Sequence, residues 1–108
     1  MKRGDICWVI FEPPDKRRPA VVVTRNSAIG YLSTIIVAPV TPTIRRLPTE
    51  VNLGPDDGLP TACVVNLDGV HAVRKSHIGD RIASLDEGKM AQVESALLFA
   101  LGMDRYTR

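Results

Sequence analysis

Short runs rich in Val and Ile, separated by turn residues, fill most of this chain, and only its last stretch changes to a helical period. Residues 5–11, 19–25, 33–40 and 61–67 are brief, apolar and bounded by turn formers, which predicts buried strands. Pro39 inside the third run predicts a bulge, an edge or a bend, because proline cannot donate to a ladder. Thr49-Glu50-Val51-Asn52-Leu53 alternates polar and apolar and predicts a half-buried strand. A short edge strand is read at 69–73. Turns fall at Pro13-Pro14-Asp15, at Asn26–Gly30 (long enough for one helical turn), in the polar loop from Thr41 to Pro48, and at Gly54-Pro55-Asp56-Asp57-Gly58.

After residue 84 the period lengthens. Ser84 and Glu87 have capping-box spacing, and Asp86 and Glu87 suit the positive end of a helix. Met90, Val93, Leu97 and Leu101 recur at helical spacing, Leu98 widens the stripe, and Gly102 marks the stop. Gly88 costs about 1 kcal/mol relative to alanine, which the apolar face outweighs. The expected fold is mainly β with helices (α+β): a small body of five or six strands covered by one helix over 85–101. No internal repeat or low-complexity linker divides the chain.

Length adds that 1–108 should form a single domain with one core. The chain is 44% hydrophobic and 24% charged, with a net charge of only +2, so overall basicity does not announce a nucleic-acid binder. Distribution matters more. Lys16-Arg17-Arg18, Arg45-Arg46 and Arg74-Lys75 are clustered, whereas acids gather at Asp56, Asp57, Asp86 and Glu87. Converging, these basic groups would make a phosphate-attracting surface; apart, they are solvated charges. Cys7 and Cys63 sit in apolar runs and are expected as buried free thiols of a reduced, cytoplasmic protein. Neither paired-cysteine nor paired-histidine spacing suggests a metal, so no cofactor is expected. No apolar stretch is long enough for a signal peptide or a membrane span.

The candidate chemistry lies at the rims of two strands. Arg17-Arg18-Pro19-Ala20-Val21-Val22-Val23 opens on arginines, and Thr34-Ile35-Ile36-Val37-Ala38-Pro39-Val40 ends on Thr41. A guanidinium and a hydroxyl fixed at neighbouring strand ends can grip a phosphate. From spacing alone, Arg18 reads rather as a surface group paired with Glu12 or Asp15, and Thr41 as a turn-capping hydroxyl before Pro42. Of the two histidines, His77 reads as exposed, while His71 could touch a ligand or be a plain edge residue. Asp68 is equally open. Trp8 reads as core or subunit interface, and Tyr31 as exposed.

The segments taken together resemble the MazF/PemK family of toxin endoribonucleases from type II toxin–antitoxin pairs. The resemblance runs through Lys2-Arg3-Gly4-Asp5-Ile6-Cys7-Trp8, the Arg17–Val23 stretch, Ile36-Val37-Ala38-Pro39-Val40-Thr41 and Leu47-Pro48-Thr49-Glu50-Val51. It continues more loosely through Cys63–Asp68 and Arg74–Gly79, spanning nearly the whole chain in order. It implies an SH3-like β-barrel with helices, a homodimer, a MazE-like antitoxin partner, and metal-independent cleavage of single-stranded RNA. It further implies catalytic roles for Arg18 and Thr41, with RNA contacts expected from Lys16, Arg17, Thr43, Arg45, Arg46, Asp68 and His71. Two departures stand out. The first connection, Glu12 to Arg17, is shorter than the family's, implying an altered cleavage sequence. Gly69-Val70-His71 also stands where relatives carry Gln-Ile-Arg, so a contact is lost or moved to His71. The related CcdB toxins, which bind gyrase without chemistry, and a non-cleaving RNA binder are the alternative classes.

Overall fold

The computed structural model describes residues 1–11 and 17–106. Seven strands form one antiparallel sheet: β1 (Asp5–Ile10), β2 (Arg17–Val22), β3 (Thr34–Thr41), β4 (Glu50–Leu53), β5 (Cys63–Asn66), β6 (His71–Arg74) and β7 (Ile78–Ser84). A one-turn helix, α1 (Asn26–Ile29), and a long one, α2 (Glu87–Ala100), complete it, with short 3₁₀ turns between strands. The strand path runs β4-β5-β3-β2-β1-β7, with β6 branching from β3. The mainly β body and its C-terminal helix match expectation. Among the described residues, however, β4 and β7 remain separate ends of the path, so the sheet curls without closing as a barrel.

The long strand β3 explains the shape. Along one edge, residues Thr34 to Val37 pair with β6, then Val40 and Thr41 pair with β5. Pro39, which has no N–H to give, sits where β3 changes partner on that edge. Of the bulge, edge or bend expected there, the structure shows a break in pairing on one edge, while Pro39 stays paired with Ala20 on the other. Gly69 is part of the same corner: a Cβ there would stand 2.9 Å from the Pro39 Cγ, so only glycine lets the two backbones approach.

Where one core was expected, alternation along the strands builds two apolar clusters. Ile6, Val21, Ala38, Val40, Val51, Leu53, Val65 and Leu67 face α2, which contributes Met90, Val93 and Ala96. Cys7, Val9, Phe11, Ala20, Val22, Ile35, Val37 and Val73 form a second cluster with Ile29 of α1. Lys89 ties α2 to the sheet through the Asn52 carbonyl at 2.8 Å, and Arg3 reaches Glu94 of α2 at 2.7 Å.

Three expectations are corrected, and one strand is added to the five or six expected. β2 starts at Arg17, so both arginines belong to the strand rather than preceding it. Residues 78–84 are a strand paired with β1; with exposed Gly79, Asp80 and Arg81 they show no period. The helix cap is Asp86, whose Oδ1 accepts the Lys89 N–H at 2.7 Å, because Ser84 is still the last residue of β7, two positions before the cap. Leu101 is exposed, and Ala96 takes the buried place expected of it.

Candidate active site

The register of three ladders assembles the site. β2 and β3 pair as Ala20↔Pro39, Val21↔Ala38 and Val22↔Val37. Carried outward by two residues, the same register sets Arg18 across from Thr41. The β3–β5 register, carried back one residue from Val40↔Val65, sets Pro39 across from Asn66, and Asn66 pairs with Glu50 on β4. Directly opposed residues share a face. These side chains therefore emerge together on the face away from α2, around a cleft of about 200 Å³ lined by Arg18, Pro39, Thr41, Thr43, Arg45, Glu50 and Asn66.

Hydrogen bonds fix the far wall. The half-buried Thr41 accepts the Thr43 N–H on its Oγ1 at 3.2 Å, spanning Pro42 as a turn cap. Thr41 thus caps the turn and also lines the cleft. Accepting that N–H still leaves the hydroxyl proton free to donate. Oε1 of Glu50 accepts the Arg45 N–H at 3.0 Å and the Leu47 N–H at 3.4 Å, so one carboxylate shapes the loop that carries Arg45. Arg46 takes up the sharp turn this demands, with φ at 57°. Asn66 accepts the Asp68 N–H on Oδ1 at 2.9 Å, which orients its amide and leaves the NH₂ as a donor.

The near wall is aromatic. The Arg18 guanidinium carbon lies 5.9 Å from the Phe11 ring centroid, within cation–π range. On its other side the Phe11 ring meets the His71 ring at 5.0 Å between centroids. Nδ1 of His71 lies 2.9 Å from the Gly69 carbonyl. A carbonyl can only accept, so Nδ1 carries the proton and Nε2 is left for other partners.

Of the nine residues singled out from the sequence, Arg18, Thr41, Thr43 and Arg45 line the cleft together. Arg17 turns to the opposite face, over the half-buried Trp8 ring at 4.9 Å. Lys16 lies outside the described residues, as does most of the short first connection. Arg46 is exposed on the loop beside the cleft. Asp68 accepts the Thr49 hydroxyl at 2.6 Å and braces the strand below, outside the lining. His71 lines an adjoining hollow instead, together with His77, which is half-buried rather than exposed. Glu50 and Asn66 are cleft members that the sequence did not mark. The alternation around Glu50 gave the one usable signal, since it put that side chain on the uncovered face.

Both cysteines are buried and free, and burial pushes both thiols above their ordinary range, so neither offers a nucleophile. Among the described residues no cluster of three or more His, Cys, Asp or Glu could hold a metal ion, and no helix is long and apolar enough to cross a membrane. A cleft of two guanidiniums, two hydroxyls and an amide around a facing strand pair can bind and polarise a phosphodiester.

Known proteins carry the same pattern. The chain is 38% identical over 104 residues to the probable endoribonuclease MazF5 of Mycobacterium tuberculosis, covering 95% of this chain and 94% of that one. The structure of the Mycobacterium tuberculosis toxin MazF-mt6 superposes with a TM-score of 0.86 at 29% identity, over 93% of this chain and 98% of that one. A mycobacterial endoribonuclease in complex with its cognate antitoxin superposes with a TM-score of 0.85 at 27% identity, over 95% and 96% of the two chains. The model of the PemK-like, MazF-like toxins of type II toxin–antitoxin systems matches residues 2–101, and the chain belongs to that family.

Proposed function

We propose that this MazF-family endoribonuclease cuts single-stranded, mRNA-like RNA at a short sequence by using the substrate's own 2′-hydroxyl. That hydroxyl attacks the adjacent phosphorus, the P–O5′ bond breaks, and the products are a 2′,3′-cyclic phosphate and a 5′-hydroxyl end. Arg18 holds the non-bridging oxygens in its rigid fork and stabilises the charge of the pentacoordinate transition state. It acts by electrostatics rather than as a base. Thr41 donates its hydroxyl to the same phosphate, and Arg45 steadies a flanking one. No metal is needed, because the guanidinium supplies the positive charge a cation otherwise brings.

What carries this reading is the facing pair of Arg18 and Thr41 on adjacent strands, both lining one cleft. Antitoxin complexes of related toxins support a MazE-like partner, whose acidic, disordered segment would compete for the same basic face. The reading extends to one toxin domain, acting in the cytoplasm as a homodimer. The test is to incubate the purified protein with a long RNA in excess chelator and map the ends. Cyclic-phosphate termini at one recurring motif are expected. Intact RNA beside inhibited gyrase would overturn the proposal in favour of a binding toxin.

A further inference from the structure

Two further grooves besides the cleft differ in charge. One shares Glu50 and runs between β4 and α2, about 400 Å³ walled by Pro48, Val51, Ala91, Gln92 and Ser95, with no cation among its lining residues. The other begins beyond the Phe11 ring. There a hollow of about 130 Å³ is walled by Ile10, His71, Arg74 and His77, and it adjoins one of about 470 Å³ with Ser33, Lys75 and Ser76. Thr34 and Arg74 line both hollows, so they form one track along β6. No carboxylate lines either.

We infer that the β6 track is an RNA-binding exosite that takes the strand as it leaves the scissile phosphate, with Arg74 as its central phosphate contact. This rests on the nuclease reading for the cleft but adds a direction and a partner surface. A polyanion is drawn to the carboxylate-free hollows that carry Arg74, whereas the groove beside α2 offers no cation. Phe11 links the Arg18 guanidinium to the His71 ring, on which a base can stack. From His71 to Arg74, on the other face of β6, the path crosses that strand's free edge. Hydroxyls of Thr34, Ser33 and Ser76 offer further donors, and Thr34 is the cross-strand neighbour of Arg74, which holds the two together. Lys75 helps the frame more than the ligand, since its Nζ donates to the Ile29 carbonyl. Arg74 is exposed on the rim of both hollows and outside the catalytic cleft.

The probe is 2′-O-methyl RNA of random sequence, which keeps every phosphate and lacks the nucleophile, in pools about four and about twelve nucleotides long. Binding by fluorescence anisotropy across a salt series is compared for the wild type and Arg74→Gln, and cutting of a long unmodified transcript is followed in parallel. The wild type should hold the long pool more tightly than length statistics allow. In Arg74→Gln the long pool should weaken several-fold and its log–log salt slope fall by about 0.7, with the short pool unmoved. Equal losses on both pools, or none, would overturn the exosite. So would a changed sedimentation coefficient for Arg74→Gln, which would make the track a subunit contact. Length-dependent binding through Arg74 in a protein that cuts nothing would uphold the exosite and sink the nuclease reading instead.

Discussion

The two faces of this sheet use the same strands for opposite purposes. Val40, Val65 and Val51 are buried under α2, while their immediate neighbours Thr41, Asn66 and Glu50 line the open cleft. A side-chain period of two is what permits this: each strand gives one residue to stability and the next to the ligand. The helix-covered face is continuous and apolar from Ile6 to Ala96. On the other face the apolar cluster runs only as far as Ala20 and Phe11, and polar residues begin one step beyond, at Arg18. Rigidity is therefore delivered to the cleft from behind. The difference teaches that the site can be altered with little effect on folding, and the core with little effect on chemistry.

The largest expected effect tests that separation directly. Arg18→Ala should lower cleavage by about 10²–10³-fold, the usual loss when one transition-state donor is removed, with the urea midpoint unchanged. Arg18→Lys should recover only part, since an ammonium keeps the charge and loses the fork. Leu53→Ala, on the covered face at 4% exposure, should do the reverse: it costs about 2–5 kcal/mol of stability and leaves the turnover of the folded fraction intact. Activity followed against denaturant for both variants is the measurement. An Arg18→Ala protein that melts early would show that the faces are coupled after all.

Glu50 sharpens the comparison because it belongs to the open face yet acts on structure. Its Oε1 gathers the Arg45 and Leu47 amides, and losing it frees the loop that presents Arg45. Glu50→Gln keeps a carbonyl oxygen for both amides and should retain most activity. Glu50→Ala should lose about ten-fold in kcat/KM, equal to about 1.4 kcal/mol. In an Arg45→Ala background the same Glu50→Ala change should cost little more, because the residue it positions is already gone. If Glu50→Gln is as damaged as Glu50→Ala, the carboxylate charge matters in its own right and the positioning role is wrong.

Much of this was legible in the chain, for a physical reason. Strands β2, β3 and β5 are apolar on both sides and announce themselves by composition, and α2 does so by period. Arg18 and Thr41 were marked by their place at the rims of two such strands, and only the family resemblance proposed a catalytic role for them. β7 was not, because an edge strand with Gly79, Asp80 and Arg81 exposed is held by its pairing with β1 rather than by its own preference. Glu50 and Asn66 were hidden for the same reason. Their alternation says which way they point, but only the strand order β4-β5-β3-β2 says that they point at Arg18. The Ser84 cap failed because pairing with β1 carries β7 as far as Ser84, so the helix starts later and Asp86 caps it.

Asp5 supplies the smallest and cleanest test, at the end of β1 remote from the cleft. It lies about 13 Å along the strand from Val9, the residue paired with Arg18. Burial would raise its carboxyl, but the Ser84 hydroxyl, the Lys2 N–H, the Arg81 charge and the N-terminus together hold it below its ordinary value of 3.8. A carboxyl lowered on folding adds stability that is fully present above the unfolded value and disappears as pH falls through the folded one. Asp5→Asn removes this term and mismatches one of the two donors, for about 1 kcal/mol at neutral pH. The gap in urea midpoint between wild type and Asp5→Asn should therefore be widest near pH 7 and close as the pH drops below 3.8. Cleavage per folded molecule should not differ between them at pH 7, since nothing in the cleft has moved. A gap that stays constant with pH would mean that packing, not charge, anchors this end of the sheet, and a fall in turnover would mean that strain at Asp5 travels the length of β1 to Arg18.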